Sequence, residues 1–217
     1  MRVLCFLEVI MRKLLTYFSK LEIALWVSSV SLIGVTSLIF NAKGNPFGQV
    51  LMILFSLLYG VISHSFAYYG EMITYLGMTM PMAVFALVSW LKNPYQGNRA
   101  EVRVNSIGKG EQALMWAAAA LVTGIFYFIL THFHTANLLP STLSVTTSFI
   151  AVYLTFHRCP QFALAYAAND AVLIVLWVSA SFADIHYVSV AVCFVAFLFN
   201  DIYGYVSWQR MKKRQEV

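Results

Sequence analysis

Seven stretches of this chain stay apolar for as long as a helix needs to cross a bilayer, and they leave little sequence over for any other fold. A crossing helix takes ~20 apolar residues. Windows of that length fall at about 22–41, 48–67, 71–92, 112–131, 141–157, 161–183 and 187–209. In hydrocarbon every backbone polar group needs a partner within its own segment or a closed barrel, so such runs specify helices. Charged residues are 11% of the 217 and hydrophobic ones 60%, where soluble domains carry ~25% charged. The expected class is an all-α integral membrane protein with seven transmembrane helices in one domain, 21–217.

The links after the first, second, fifth and sixth spans are short, which makes those neighbours antiparallel. The longest link, 93–111, is polar, holds Pro94, Gly97, Gly108 and Gly110, and divides the chain into halves. Residues 1–20 read differently. Arg2, Glu8, Arg12, Lys13 and Lys20 interrupt Val3, Leu4, Phe6, Leu7, Ile10, Leu14, Leu15 and Phe18 at helical spacing. Charges inside the apolar run argue against a cleavable leader, so an amphipathic helix at the membrane interface is expected.

Basic residues collect on the side that bears the C-terminus: Lys43, Lys92, Arg99, Arg103, Lys109, Arg158, Arg210, Lys212, Lys213 and Arg214. The positive-inside rule places that side in the cytoplasm and the start of the first span outside, with the basic N-terminal segment in conflict. The net charge of +5 therefore serves topology and anionic headgroups rather than nucleic acid.

Moved by 118 residues, the sequence partly matches itself. Val88-Ser89-Trp90 falls on Val206-Ser207-Trp208, Lys92 on Arg210, Tyr69 on Tyr187 and Phe85 on Tyr203. Two parallel three-helix repeats, about 22–92 and 141–209, are expected on either side of a linking span, 112–131. Repeats of this kind build transporters whose site lies between the halves.

Within these apolar helices stand two Asn-Asp pairs, Asn169-Asp170 and Asn200-Asp201. An ionisable side chain at membrane depth costs ~2.5–3.5 kcal/mol or more, and marks a functional site by default. Asn169 and Asn200 lie about eight and nine residues from helix ends that face one side. At ~1.5 Å per residue both amides are ~12–14 Å deep. Tyr166 and Tyr203 stand three positions from Asn169 and Asn200, on the same faces, and Trp177 follows Asp170 by two turns. Aromatic rings beside amides form a clamp for a planar heterocycle, and a cationic ring gains cation–π attraction. Glu71, Thr74 and Tyr75 share one face of the third span.

Each feature has a plainer reading. Asn and Asp also bond helix to helix within bundles. Trp90 and Trp208, near span ends, are expected as interface anchors; Glu71 reads equally as a surface loop charge. Pro81 marks a kink, and Met78, Met80 and Met82 pack. Cys5, Cys159 and Cys193 lack metal-ligand spacing and are expected as small buried hydrophobes. No HExxH, Walker A loop, GxSxG or GxGxxG occurs, so no catalytic residue, metal or cofactor is assigned.

Tyr166-Ala-Ala-Asn169-Asp170, with Asn200-Asp-Ile-Tyr-Gly204 and the following Val-Ser-Trp208-Gln-Arg-Met, resembles the PnuC vitamin transporters over about residues 22–214. The resemblance implies two three-helix bundles linked by a fourth span, similar to an enlarged SWEET sugar transporter. It implies import of nicotinamide riboside, or in relatives thiamine or riboflavin, by facilitated diffusion. Phosphorylation by a cytoplasmic kinase, without a stable complex, then traps the substrate. A homo-oligomer, a trimer, is also implied. The family's Trp-xx-Trp-xx-Asn pattern falls on Ala163, Tyr166 and Asn169, with Phe162 adjacent as a substitute for the first Trp. The substrate-binding set is then Asn169, Asn200, Tyr166, Tyr203, Trp177, Phe162, Asp170, Asp201, Glu71 and Tyr75. Two rivals stay open: a polytopic sensor or scaffold in which the pairs only hold helices, and an ion-coupled transporter using Asp170 or Asp201.

Overall fold

Residues 20–65, 69–135, 137–182 and 188–216 are described in a computed structural model, with side chains at all of these positions except 20–28, 65, 69–71 and 189. The expected interfacial helix at 1–20 lies outside the described residues but for its last position. Helix α1 (Lys20–Ala42) and α2 (Phe47–Ser65) are followed by a span in three pieces: α3 (Tyr69–Thr74), a π-turn (Tyr75–Thr79) and α4 (Met80–Lys92). Strands β1 (Pro94–Tyr95) and β2 (Asn98–Val102) come next, then α5 (Lys109–His132), α6 (Leu138–Phe156), α7 (Phe162–Ser181) and α8 (Val188–Gln215).

Among the described residues six helices are long and apolar enough to cross a membrane: Phe47–His64, Met72–Lys92, Lys109–His132, Leu138–Phe156, Phe162–Ser181 and Val190–Gln215. Helix α1 adds an apolar stretch, Ser29–Ala42. The last span runs past its expected end at 209, so Arg210, Lys212, Lys213 and Arg214 lie on helix. Cations in a final turn suit the negative end of the helix dipole.

Proline sets the break in the third span. Pro81 offers no N–H to the carbonyl four residues earlier, and a π-turn just ahead of it takes up the mismatch. Helices α1 and α6 end alike. Gly44 N–H bonds Asn41 O and Asn45 N–H bonds Phe40 O, both at 3.0 Å; Arg158 N–H bonds Thr155 O and Cys159 N–H bonds Leu154 O, also at 3.0 Å. This double closure needs a left-handed residue. Gly44 supplies it at φ +67° and Arg158, without glycine's freedom, at φ +59°. Pro46 and Pro160 follow at equal distance.

Helix α1 packs on α2, α2 on α4, α5 on α6, α6 on α7 and α7 on α8, while α1–α8 and α4–α6 contacts join the two halves. Trp90 and Trp208, expected at the lipid interface, are instead fully buried in this seam. The polar link is more ordered than expected. Strands β1 and β2 pair antiparallel across Gln96-Gly97, both at positive φ. Val102 N–H bonds Gly44 O at 3.0 Å, Asn105 N–H bonds Arg158 O at 3.0 Å, and the Gln215 side chain bonds Val102 O and Val104 N–H at 3.1 and 2.7 Å. The link thereby ties two turns and the end of α8 together on the face that bears the C-terminus. Cys159 is buried as expected, whereas Cys193 is exposed on the apolar outside of α8.

Candidate functional site

A cavity of about 740 Å³ opens between the halves, inside the ~300–1,000 Å³ range of small-molecule sites. Its lining reaches from Phe133, His134 and Asn137, at the face opposite the C-terminus, down to Tyr166, Asp170 and Asp201. Below those residues the Trp90–Trp208 core closes the path, with Phe162 against Trp208 at 4.9 Å between ring centroids.

Both halves supply aromatic wall. From the first come Phe55 and Tyr75, edge to face at 5.8 Å, with Tyr59 behind Tyr75 at 4.6 Å. Tyr75 opens the π-turn and Thr79 closes it, and both line the cavity. The second half gives Tyr166, Trp177, Phe194 and Phe197.

Asn169, on α7, is 7% exposed and lines the cavity. Its Oδ1 accepts from Ser144 Oγ at 3.1 Å, Thr147 Oγ1 at 2.9 Å and Ser148 Oγ at 3.1 Å. These three hydroxyls project from one face of α6, at spacing i, i+3, i+4. Asp170 on α7 and Asp201 on α8, also buried, line the same cavity. The second Asp170 oxygen, Oδ2, is buried with no partner among the described residues. Among those residues no group of three or more metal-type ligands comes together.

Other expected site residues fall elsewhere. Asn200, expected at the depth of Asn169, instead lines a separate small pocket toward the C-terminal face, together with Asn41 and Gln49. Asp201 and Tyr166 border both chambers. Tyr203 is 56% exposed on the outside of α8, so it does not share a chamber with Asn200. Phe162 is packed beneath Trp208, lines only the small pocket and does not replace the missing Trp. The Glu71 side chain lies outside the described residues.

Sequence reasoning passed over Ser144, Thr147, Ser148 and Phe55. The hydroxyl triad carries a usable signal, three polar residues on one helical face inside an apolar span. Phe55 carries none, being one apolar residue among many. The small pocket has its own buried network: Gln49 Nε2 donates to Asn41 Oδ1 at 2.9 Å, and Ser37 Oγ to Gly48 O at 2.9 Å. A Cβ on Gly48 would stand 2.3 Å from Asn41 Oδ1, so glycine lets α1 and α2 close over this network.

Taken together, the cavity offers flat rings, an amide and paired carboxyl groups, a surface for a planar, hydroxylated or cationic small molecule. The nicotinamide mononucleotide transporter family matches residues 24–210. A protein called nicotinamide riboside transporter PnuC, from Neisseria mucosa, is 27% identical over 194 residues, which are 87% of this chain and 74% of that one. A crystal structure of the Vitamin B3 transporter PnuC has a TM-score of 0.73 and 23% identity, covering 98% of this chain and 90% of that one.

Proposed function

Since this chain belongs to the nicotinamide mononucleotide transporter family, we propose that it imports nicotinamide riboside by facilitated diffusion, with phosphorylation in the cytoplasm trapping what has entered. It is a multi-pass membrane transporter and not an enzyme. One observation carries the substrate reading: a cavity between the halves sets Tyr75 of one half opposite Tyr166 and Trp177 of the other, beside Asn169 and the Asp170–Asp201 pair. A pyridinium ring suits aromatic faces and carboxyl groups. Ribose hydroxyls suit the remaining polar wall.

The family is named for the mononucleotide and the Neisseria relative for the riboside. The acidic pair favours the riboside, because a phosphate at this depth meets like charge without a facing Lys or Arg among the cavity's lining residues. The absence of a Trp at Ala163 keeps a second reading in view, a relative of the same family that carries thiamine or riboflavin.

In this reading the fold is two parallel three-helix units joined by α5. Reciprocal α1–α8 and α4–α6 contacts support that pairing. The basic C-terminal face is cytoplasmic by the positive-inside rule, so the cavity faces outside and the Trp90–Trp208 floor is the closed inner side. Copies assemble into a homo-oligomer, and the trapping kinase acts without a stable complex.

Purified protein in liposomes tests the reading. Equilibration of labelled nicotinamide riboside without an imposed ion gradient is the expected result. Protein that neither binds nor equilibrates nicotinamide riboside, thiamine or riboflavin overturns it, and accumulation that demands an ion gradient replaces facilitated diffusion by coupled transport.

A further inference from the structure

We propose that Ser144, Thr147 and Ser148 are positioning residues that lock the Asn169 amide in one orientation, so that its Nδ2 faces the cavity and selects ligands carrying a carbonyl acceptor. The inference deepens the function proposed above and rests on it.

An amide has one end that accepts and one that donates, and the two are nearly the same shape, so only its neighbours fix which end points where. Around Asn169 the neighbours are three hydroxyls from α6 at 2.9–3.1 Å. Thr147 Oγ1 also reaches Leu143 O and Ser144 O at 3.0 Å, so its single proton has other acceptors. Ser144 and Ser148 have no acceptor but Asn169 Oδ1 among the described residues. Turning the amide round would point Nδ2 at the hydroxyls and, in the rotamers the two serines hold, leave their protons without a buried acceptor, which is the unfavourable case. The two serines therefore decide the orientation, and Thr147 adds to it.

With Oδ1 occupied on the α6 side, Nδ2 is the free end of the side chain, and no group among the described residues accepts from it. It is a donor at the wall of a chamber that already holds aromatic faces. One residue on, Asp170 Oδ2 is buried, has no partner among the described residues and lines the same chamber. A donor and an acceptor side by side match a primary carboxamide on a planar heterocycle, whose oxygen takes the Asn169 proton and whose nitrogen has protons to give. Substrates without an exocyclic carbonyl leave Nδ2 unpaired, and sites that hydrogen-bond a substrate group discriminate strongly against analogues that lack it.

The test uses calorimetry on the purified full chain with two ligands, nicotinamide riboside and the pyridinium riboside that lacks the carboxamide. In the Ser144→Ala/Ser148→Ala double variant the preference for the carboxamide ligand is expected to fall about 10-fold while the carbonyl-free ligand binds as before. Thr147→Val is expected to change the preference by less than about 3-fold, because in the native chain that proton is shared with the Leu143 and Ser144 carbonyls rather than committed to Asn169. Ser148→Thr keeps a hydroxyl and is expected to keep the preference. Equal loss for both ligands marks a structural role and overturns the proposal, as does an unchanged preference in the double variant. Should the double variant fail to fold, the single serine variants decide in the same way, each with a preference lowered about 3-fold. Wild-type protein that binds neither ligand removes the functional reading and this proposal with it. Wild-type binding with an unaffected double variant removes the proposal alone.

Discussion

The indoles of Trp90 and Trp208 pack against each other at 5.3 Å, and each donates to the helix end that bears on it from the other half: Trp90 Nε1 to Thr155 O and Trp208 Nε1 to Asn41 O, both at 2.8 Å. The two carbonyls hold equivalent places, each also accepting the N–H of a left-handed closing residue, Arg158 or Gly44. One aromatic pair thus joins α4 to α6 and α8 to α1 at the floor of the cavity.

Removing the indole N–H while keeping a ring tests how much of this join is hydrogen bond. In Trp90→Phe and Trp208→Phe each carbonyl keeps its backbone partner, so no buried acceptor is orphaned; the lost hydrogen bond costs about 1 kcal/mol apiece and the smaller ring adds a cavity cost of about 1 kcal/mol. Truncation to Ala removes the packing too and is expected to reach ~3–5 kcal/mol. Because the rings touch, the double Phe variant departs from additivity by at least ~0.5 kcal/mol. Thermal unfolding in detergent reads all three, and strictly additive losses would show that the two indoles act independently.

Asp170 Oδ2, without a partner among the described residues, sets up a charge prediction. A cationic ring ~8 Å from a carboxylate at an effective dielectric of ~20 gains about 2 kcal/mol, or about 30-fold in affinity. Asp170→Asn with Asp201→Asn keeps the shape and removes the pair's charge, so the double variant is expected to weaken a pyridinium ligand by up to that factor. An uncharged dihydropyridine analogue should bind both proteins alike. Titration of the two ligands checks this, and parallel losses would place the pair in the architecture of the wall rather than in recognition.

Tyr75 and Tyr203 separate the cavity from the outer surface of the protein. Tyr75 lines the chamber beside Phe55, whereas Tyr203 is exposed on the far side of α8. An aromatic contact is worth ~0.5–1.5 kcal/mol beyond its area, so Tyr75→Ala is expected to weaken ligand binding about 10-fold. For Tyr203→Ala the expected change is under 2-fold. Equal effects in a binding assay would contradict the placement of the cavity.

Much of this architecture is written plainly in the chain, because a 20-residue apolar run has one inexpensive solution in lipid. What was hidden depends on rotation and on partners. Residue counting put Asn169 and Asn200 at one depth, but depth says nothing of which way a helix is turned, and packing points them into different chambers. Trp90 and Trp208 read as headgroup anchors since they stand near span ends; buried carbonyls met their N–H groups instead. A single offset of 118 residues relates the two indoles, whereas their acceptors, Asn41 and Thr155, are 114 apart. No one offset catches both. A search for glycine at helix ends finds Gly44 and misses Arg158, which takes the same left-handed place.

The α6–α7 turn that carries Arg158 also sets a pH dependence. His157 stacks near Tyr153 at 4.6 Å and meets Phe156 edge to face at 5.0 Å. Burial lowers its pKa from the ordinary histidine value, Glu111 works the other way, and the Arg158 charge next to it lowers it further. The folded protein therefore holds His157 neutral more firmly than the unfolded chain does. Above ~6.5, the ordinary value, both states are neutral there and this residue adds no pH dependence. As the pH falls below that value the unfolded chain takes the proton first, and stability declines until the folded protein is protonated as well. The expected outcome is a melting temperature that drops between pH 7 and pH 5 more steeply in the native sequence than in His157→Gln, which stays neutral throughout. Matching slopes in the two proteins would mean that this turn takes up the proton without strain.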